Sequence, residues 1–250
     1  MKQSKSEFWS GEEYDAQYGK AYSHEISFLH DLLATYQAPS LLDVCCGTGL
    51  VTIPLSNKVS HVVGIDFSKS MVEFAIEKSA AVNNISFCEM DAVDFNLGTQ
   101  FDVVSMTGNA FQAFISDTDF LSMLNRVKNH MGANGVFVFD ARLPCPEHFE
   151  VTSGYQYWSS YISSTGEKVN VYGWDSAHPQ SNDTMLHHVR RDYENGEQYH
   201  SKIELKYRSI DEIVSCLESA GLQLVRCHAD WEKPPFTKAS KSIVGVVSAL

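Results

Sequence analysis

The chain has 250 residues, with 19 Lys+Arg against 31 Asp+Glu, a formal net charge of −12, and 44% hydrophobic residues. That length suits one large domain or two small ones and buries a substantial core without disulfide staples. The acid excess speaks against a general affinity for nucleic acid or for an anionic membrane surface, since both draw on Lys and Arg.

The opening segment MKQSKSEFWSGEEYD lacks the apolar h-region of a secretory signal. Tyr14, Tyr18 and Tyr22 recur every four residues, as on one helical face. Ile26, Leu29, Leu32 and Leu33 place a helix over about 25–36, which the Ala38-Pro39-Ser40 break ends. Leu41 to Cys45 reads as a short buried strand, Gly47-Thr48-Gly49 as a turn, and Leu50 to Ser56 as the start of a helix. A second strand, Val62 to Ile65, ends at Asp66, and Ser68 caps a helix from Lys69 to about Ala80. Strands at 85–88 and 101–105, a helix at 117–130, a Gly132–Gly135 turn and a strand at 136–140 follow. Short, continuous, β-branched strands alternating with helices predict an α/β domain with a parallel sheet covered on both faces.

After Pro146 the texture changes. Between Tyr155 and Tyr207 aromatics and period-two alternation dominate, with turn residues at 178–182 and 194–197. This predicts an antiparallel sheet inserted into the α/β domain. The α/β pattern resumes with a Ser209-capped helix that stops at Gly221, a strand from Leu222 and a last strand from Ser242 to Ala249. No stretch approaches the ~18 apolar residues of a membrane span. The six cysteines, Cys45, Cys46, Cys88, Cys145, Cys216 and Cys227, contain no CxxC pair and read as reduced, mostly buried thiols of a cytoplasmic protein. The histidines show no metal-ligand spacing, so no metal is expected.

The strongest chemical signal is Asp43-Val44-Cys45-Cys46-Gly47-Thr48-Gly49, between a strand and a helix. Two glycines let the backbone approach a ligand closely. Thr52 stands where the third glycine of the dinucleotide fingerprint belongs. Asp43, before the glycines, would repel a pyrophosphate and suit a ligand with a cationic amino group or sulfonium. Asp66 and Asp91 close the next two strands, where one accepts hydrogen bonds from ribose hydroxyls and the other from an adenine amine. A charged amino-acid end, a ribose and an adenine together spell S-adenosylmethionine.

These residues resemble the class I S-adenosylmethionine-dependent methyltransferases. LLDVCCGTG looks like the family's first motif, VGIDFSKSM its second and CEMDAVDF its third. MTGNAF and GVFVFDARLP fall where the fourth and fifth strands end. Cys45 stands where the family carries the first glycine of its turn. The resemblance implies a Rossmann-like seven-stranded, mostly parallel sheet of order 3-2-1-4-5-7-6, with the antiparallel β insert as a lid after strand 5. It implies an N-terminal helical segment (1–37), a cofactor-binding core (38–146 and 208–250) and the insert (147–207). It assigns cofactor contacts to Asp43, Cys45, Gly47, Gly49, Asp66, Phe67, Met71, Asp91, Ala92 and Thr107. The methyl acceptor falls to Asn109, Arg142, Tyr172, Trp174, Tyr14 and Tyr18. His187 and Arg190 lie on the same insert.

The Asn/Asp-Pro-Pro-Tyr/Phe clamp of nucleic-acid base methyltransferases is absent after strand 4. The expected partner is therefore a small-molecule acceptor, with no nucleic acid and no membrane, and a homodimer left open. No catalytic residue is legible. A non-catalytic S-adenosylmethionine binder and a nicotinamide-dependent oxidoreductase are the competing readings.

Overall fold

A computed structural model describes residues 2–4, 8–37 and 39–250 of the chain. In chain order the elements are β1 (Lys2–Ser4), α1 (Gly11–Tyr18), α2 (Ser23–Leu33), β2 (Ser40–Val44), α3 (Thr52–Leu55), β3 (His61–Asp66), α4 (Lys69–Lys78), β4 (Ile85–Glu89), β5 (Phe101–Met106), α5 (Asp117–Asn129) and β6 (Met131–Arg142). Then come β7 (Gln156–Ile162), β8 (Lys168–Ala177), β9 (Thr184–Tyr193), β10 (Gln198–Lys206), α6 (Ile210–Ser219), β11 (Leu222–His228) and β12 (Ser242–Ala249). Among the described residues no helix is long and apolar enough to cross a membrane.

Seven strands form one sheet in the order β4-β3-β2-β5-β6-β12-β11, which is the expected 3-2-1-4-5-7-6. β2 to β6 run parallel, and β12 enters antiparallel between β6 and β11. The central strand β2 is buried at every position. Its successive side chains split the core in two, as the pleat dictates. Leu42 and Val44 pack with Val104, Phe137 and Phe139 under α5 and α6, whereas Leu41 packs with Val103 and Val138 under α2 and α3.

The second sheet is the insert. β10-β9-β8-β7 form an antiparallel meander between the end of β6 and the start of α6. Its outer edge is extended by β1, which pairs parallel with β10. The N-terminal segment is therefore not wholly helical, since it also contributes a strand to the insert's sheet.

Several local expectations are corrected. The helix expected to start over 50–56 is one α turn, Thr52–Leu55, continued by a 3-10 turn through Lys58. Ser68 occupies the N-cap position of α4, but its hydroxyl donates to the Phe8 carbonyl rather than capping. Gly132–Gly135 does not precede the strand but bulges within it. Phe101 pairs with Met131 and Val103 with Val136, so the extra residues loop out of the ladder. Ala38, part of the predicted break after α2, lies outside the described residues. The six cysteines are free, and each keeps some accessible surface, although the Cys45 and Cys46 thiols are desolvated.

Helix α1 ties the two sheets together. Glu13, 8% exposed, accepts hydrogen bonds from Tyr161 (2.9 Å), Tyr193 (2.8 Å) and both the N–H and hydroxyl of Ser164 (3.0 and 2.8 Å). Burial alone would raise its pKa, but these donors hold it below the ordinary value. Two residues on, Asp15 takes the Thr48 hydroxyl of the glycine turn and pairs with Lys78 of α4 at 2.5 Å. Truncation by Glu13→Ala strands two phenols and a backbone donor, so it should cost about 2 kcal/mol or more. A fall in the thermal midpoint is the measurement.

Candidate active site

The carboxyl ends of β2, β3, β5 and β6 converge on one side of the sheet, at the switch point where connections leave in opposite directions. A cavity of about 640 Å³ opens there and runs up against the insert. Sites for small molecules span about 300–1,000 Å³.

The turn after β2 forms its floor. Cys45 has φ 60°, Gly47 φ 55° and Gly49 φ 77°. The turn therefore needs left-handed backbone at position 45 too, and Cys45 adopts there a conformation that glycine takes freely. A Cβ on Gly49 would meet the Phe87 ring at 2.8 Å, whereas one on Gly47 would meet nothing within 4 Å. Gly49 thus serves packing, and Gly47 leaves open space on the cavity wall. The Gly47 N–H donates to Asp66 Oδ2 at 2.9 Å, and Ser68 N–H to Asp66 Oδ1 at 2.8 Å. Burial raises the Asp66 pKa in spite of both bonds. Each Asp66 oxygen keeps a lone pair, so this wall can accept hydrogen bonds from a vicinal diol.

Asp43 does not line the cavity. It is buried beneath the turn, where Thr52 donates to Oδ2 at 2.6 Å and Ser105 to Oδ1 at 2.8 Å. Burial pushes its pKa up to about 6. Its place in the structure is that of a staple joining β2, β5 and α3. Met71 is 1% exposed in the core and Ala92 is buried at 7%, and neither is on the cavity wall. Asp91 is exposed outside it, its Oδ1 taking the Val93 N–H at 3.1 Å. Cys45, Phe67 and Thr107 do line the cavity, and the Phe67 ring is 61% exposed. Burial, with nearby carboxylates, raises the Cys45 and Cys46 thiols well above their usual range, which disfavours the thiolate.

The other end of the cavity is aromatic and charged. Tyr14, Tyr18 and Tyr22 line it from the N-terminal segment, with the Tyr14 and Tyr22 hydroxyls 2.7 Å apart. Asn109, at φ 58°, and Arg142 contribute from the ends of β5 and β6. Among the described residues neither Arg142 nor the half-buried Glu25 is in a salt bridge. Burial raises the Glu25 pKa.

Tyr172 and Trp174, expected at the acceptor, lie on the far face of the insert. The cross-strand row Asp175–His187–Ile203 faces the cavity. The rows Tyr172–Arg190–His200 and Trp174–His188–Lys202 therefore face away. There Arg190 sits over Tyr172 at 4.6 Å and over Tyr155 at 4.8 Å, and Trp174 stacks on His188 at 4.0 Å. His187 is on the cavity side and Arg190 is not.

Glu25, Trp158, Asp175 and Tyr207 are among the cavity residues that the sequence reading did not assign to the site. Asp175 and His187 share odd parity along their strands, a signal available in the sequence. Trp158 was not available in that way. It sits at a register shift in β7, and its ring covers Gly173, where a Cβ would lie 2.1 Å from it. His187 Nδ1 lies 2.7 Å from Asp175 Oδ1, and His187 Nε2 lies 3.3 Å from the Tyr207 hydroxyl.

Residues 41–135 match a family described as "Methyltransferase domain". YqeM of Bacillus subtilis (strain 168), named a candidate methyltransferase, is 26% identical over 195 residues, 76% of each chain. A solved S-adenosylmethionine-dependent methyltransferase from Clostridium acetobutylicum ATCC 824 superposes with a TM-score of 0.79 at 18% identity, covering 94% of this chain and 97% of that one. CalS10 of Micromonospora echinaspora, an amino pentose methyltransferase solved with S-adenosylmethionine bound, superposes with a TM-score of 0.71 at 18% identity, covering 95% and 96%.

Two predictions follow from the geometry around the turn. Cys45→Gly should fold at least as well as the natural chain, whereas a β-branched Cys45→Val should lose about 2 kcal/mol in denaturant titration. The second concerns Asp140, whose pKa rises from 3.8 to about 7, chiefly through burial and against the Asn109 N–H bond. The fold prefers its neutral form, so its ionisation destabilises the native state progressively as pH climbs from about 4 to 7. Asp140→Asn should leave stability unchanged near pH 3 and raise it by more than about 1 kcal/mol near pH 8.

Proposed function

We propose that this chain, which carries a methyltransferase domain on the class I methyltransferase fold, transfers a methyl group from S-adenosylmethionine to an amine nitrogen of a small molecule. One observation carries the reading: a single cavity joins the glycine turn and Asp66 to a separate aromatic and charged compartment under the insert. The first part suits a donor with a ribose diol, and the second leaves room for an acceptor.

The residues fit the donor. Asp66 would accept from the ribose hydroxyls, Gly47 would let the ligand lie against backbone, and the exposed Phe67 ring offers a flat face for the adenine. S-adenosylmethionine supplies a methyl carbon on a positively charged sulfur, so the leaving group is good and the protein's task is alignment and exclusion of water. The insert, covering the cavity, acts as the lid. A dinucleotide is disfavoured. Thr52, in place of the fingerprint's third glycine, is fully buried and committed to Asp43.

The acceptor's nature is argued from charge. Glu25 presents a carboxylate without an ion-pair partner among the described residues, beside Tyr14, Tyr18 and Tyr22. Tyrosine faces and a free carboxylate favour a cation. The amino pentose acted on by CalS10 is an acceptor of that kind. Arg142, equally unpaired in salt bridges, would hold an anionic group at the acceptor's other end.

Titration calorimetry with S-adenosylmethionine and with NAD tests the donor, and a screen of metabolite extracts for labelled methyl transfer tests the acceptor. Binding of S-adenosylmethionine, weakened about tenfold or more by Asp66→Ala, is expected. Binding of NAD alone would replace the methyltransferase reading by an oxidoreductase one. Turnover unaffected by Arg142→Ala would remove Arg142 from the acceptor site.

A further inference from the structure

We infer that His187, oriented by Asp175, takes the proton that an amine acceptor must lose before it can be methylated. The inference rests on the methyl-transfer reading above. An alkyl ammonium titrates near pH ~10, so only about one molecule in a thousand has a free lone pair at neutral pH. A positioned base removes that penalty, an effect of about 10²–10⁴ in rate.

The geometry fixes the roles. Asp175 Oδ1 lies 2.7 Å from His187 Nδ1, so the carboxylate takes the Nδ1 hydrogen and leaves the lone pair on Nε2. The Tyr207 hydroxyl stands 3.3 Å from Nε2. Burial raises the Tyr207 pKa, which keeps the phenol protonated and able to donate there. All three residues line the cavity that contains the glycine turn. They come from β8, β9 and the exit of β10, and cross-strand pairing of Asp175 with His187 sets the first two opposite each other.

The ammonium nitrogen gives a proton to His187 Nε2, whose side chain is partly exposed, and takes the place there of the buried Tyr207 hydroxyl. His187 becomes an imidazolium whose charge Asp175 offsets. The nitrogen lone pair so freed forms the N–C bond as the methyl leaves sulfur, whose bonding electrons stay on sulfur. The other charged or titratable groups on this cavity wall are Arg142, Glu147 and His148 beyond β6, Glu25 on α2, Tyr14, Tyr18 and Tyr22 of the N-terminal segment, and Cys45, Cys46 and Asp66 around the glycine turn. Of these, Glu147 is engaged by Lys241 at 2.7 Å. His188 points to the opposite face.

The test uses methyl-labelled S-adenosylmethionine and a bacterial metabolite extract, either untreated or acetylated on its amines. Label taken up from the untreated extract and lost after acetylation supports an amine acceptor, and equal uptake from both overturns it. No uptake from either, with S-adenosylmethionine bound by calorimetry, overturns the methyl-transfer reading and the base with it. His187→Asn should keep its affinity for S-adenosylmethionine, lose about 100-fold in turnover near pH 7 and recover to within about tenfold near pH 10, where the amine deprotonates itself. His187→Gln and Asp175→Asn should show the same alkaline recovery. A loss uniform across pH in every variant that folds, or no loss, overturns the proton-acceptor role.

Discussion

The bond from the Gly47 N–H to the Asp66 carboxylate is the constraint on which the rest of the site depends. It holds the turn after β2 against the end of β3, in a backbone shape with three positive φ angles between positions 45 and 49. Asp43 supports the same turn from below through Thr52 and Ser105. One carboxylate thus faces the cavity and the other is spent on the scaffold. Their environments differ accordingly, although both are aspartates closing neighbouring strands.

The parallel half of the fold was legible because its signals are local. Continuous apolar strands, glycine turns and capped helices each announce themselves within a few residues, and the order of the strands followed from the family resemblance. Asp66 could be placed by its distance from the turn. The fate of Asp43 could not, because its hydroxyl partners, Thr52 and Ser105, lie nine and 62 residues away.

The insert was legible as strands but not as a surface. Alternation tells which residues share a face, and it does not tell which face meets the cavity. Choosing the aromatics Tyr172 and Trp174 selected the face turned away from the cavity, and the row with Asp175 and His187 turned inward instead. Trp158 breaks the alternation at a register shift and depends on Gly173 for its seat. No period in the sequence marks such a coincidence. The six cysteines show the same limit, since apolar surroundings in the sequence did not translate into full burial.

Helix α1 is only eight residues long, yet it carries Glu13 into the insert and Asp15 into the glycine turn. Two positions on a helix are separated by about 200° of rotation, so the two carboxylates leave opposite sides of the same rod. Each anchor needs the helix, and the helix, too short to persist alone in water, needs both anchors. The two sheets are therefore joined by an all-or-none rivet. Loosening either end unravels the other, and the cavity's two compartments gain or lose their common wall together.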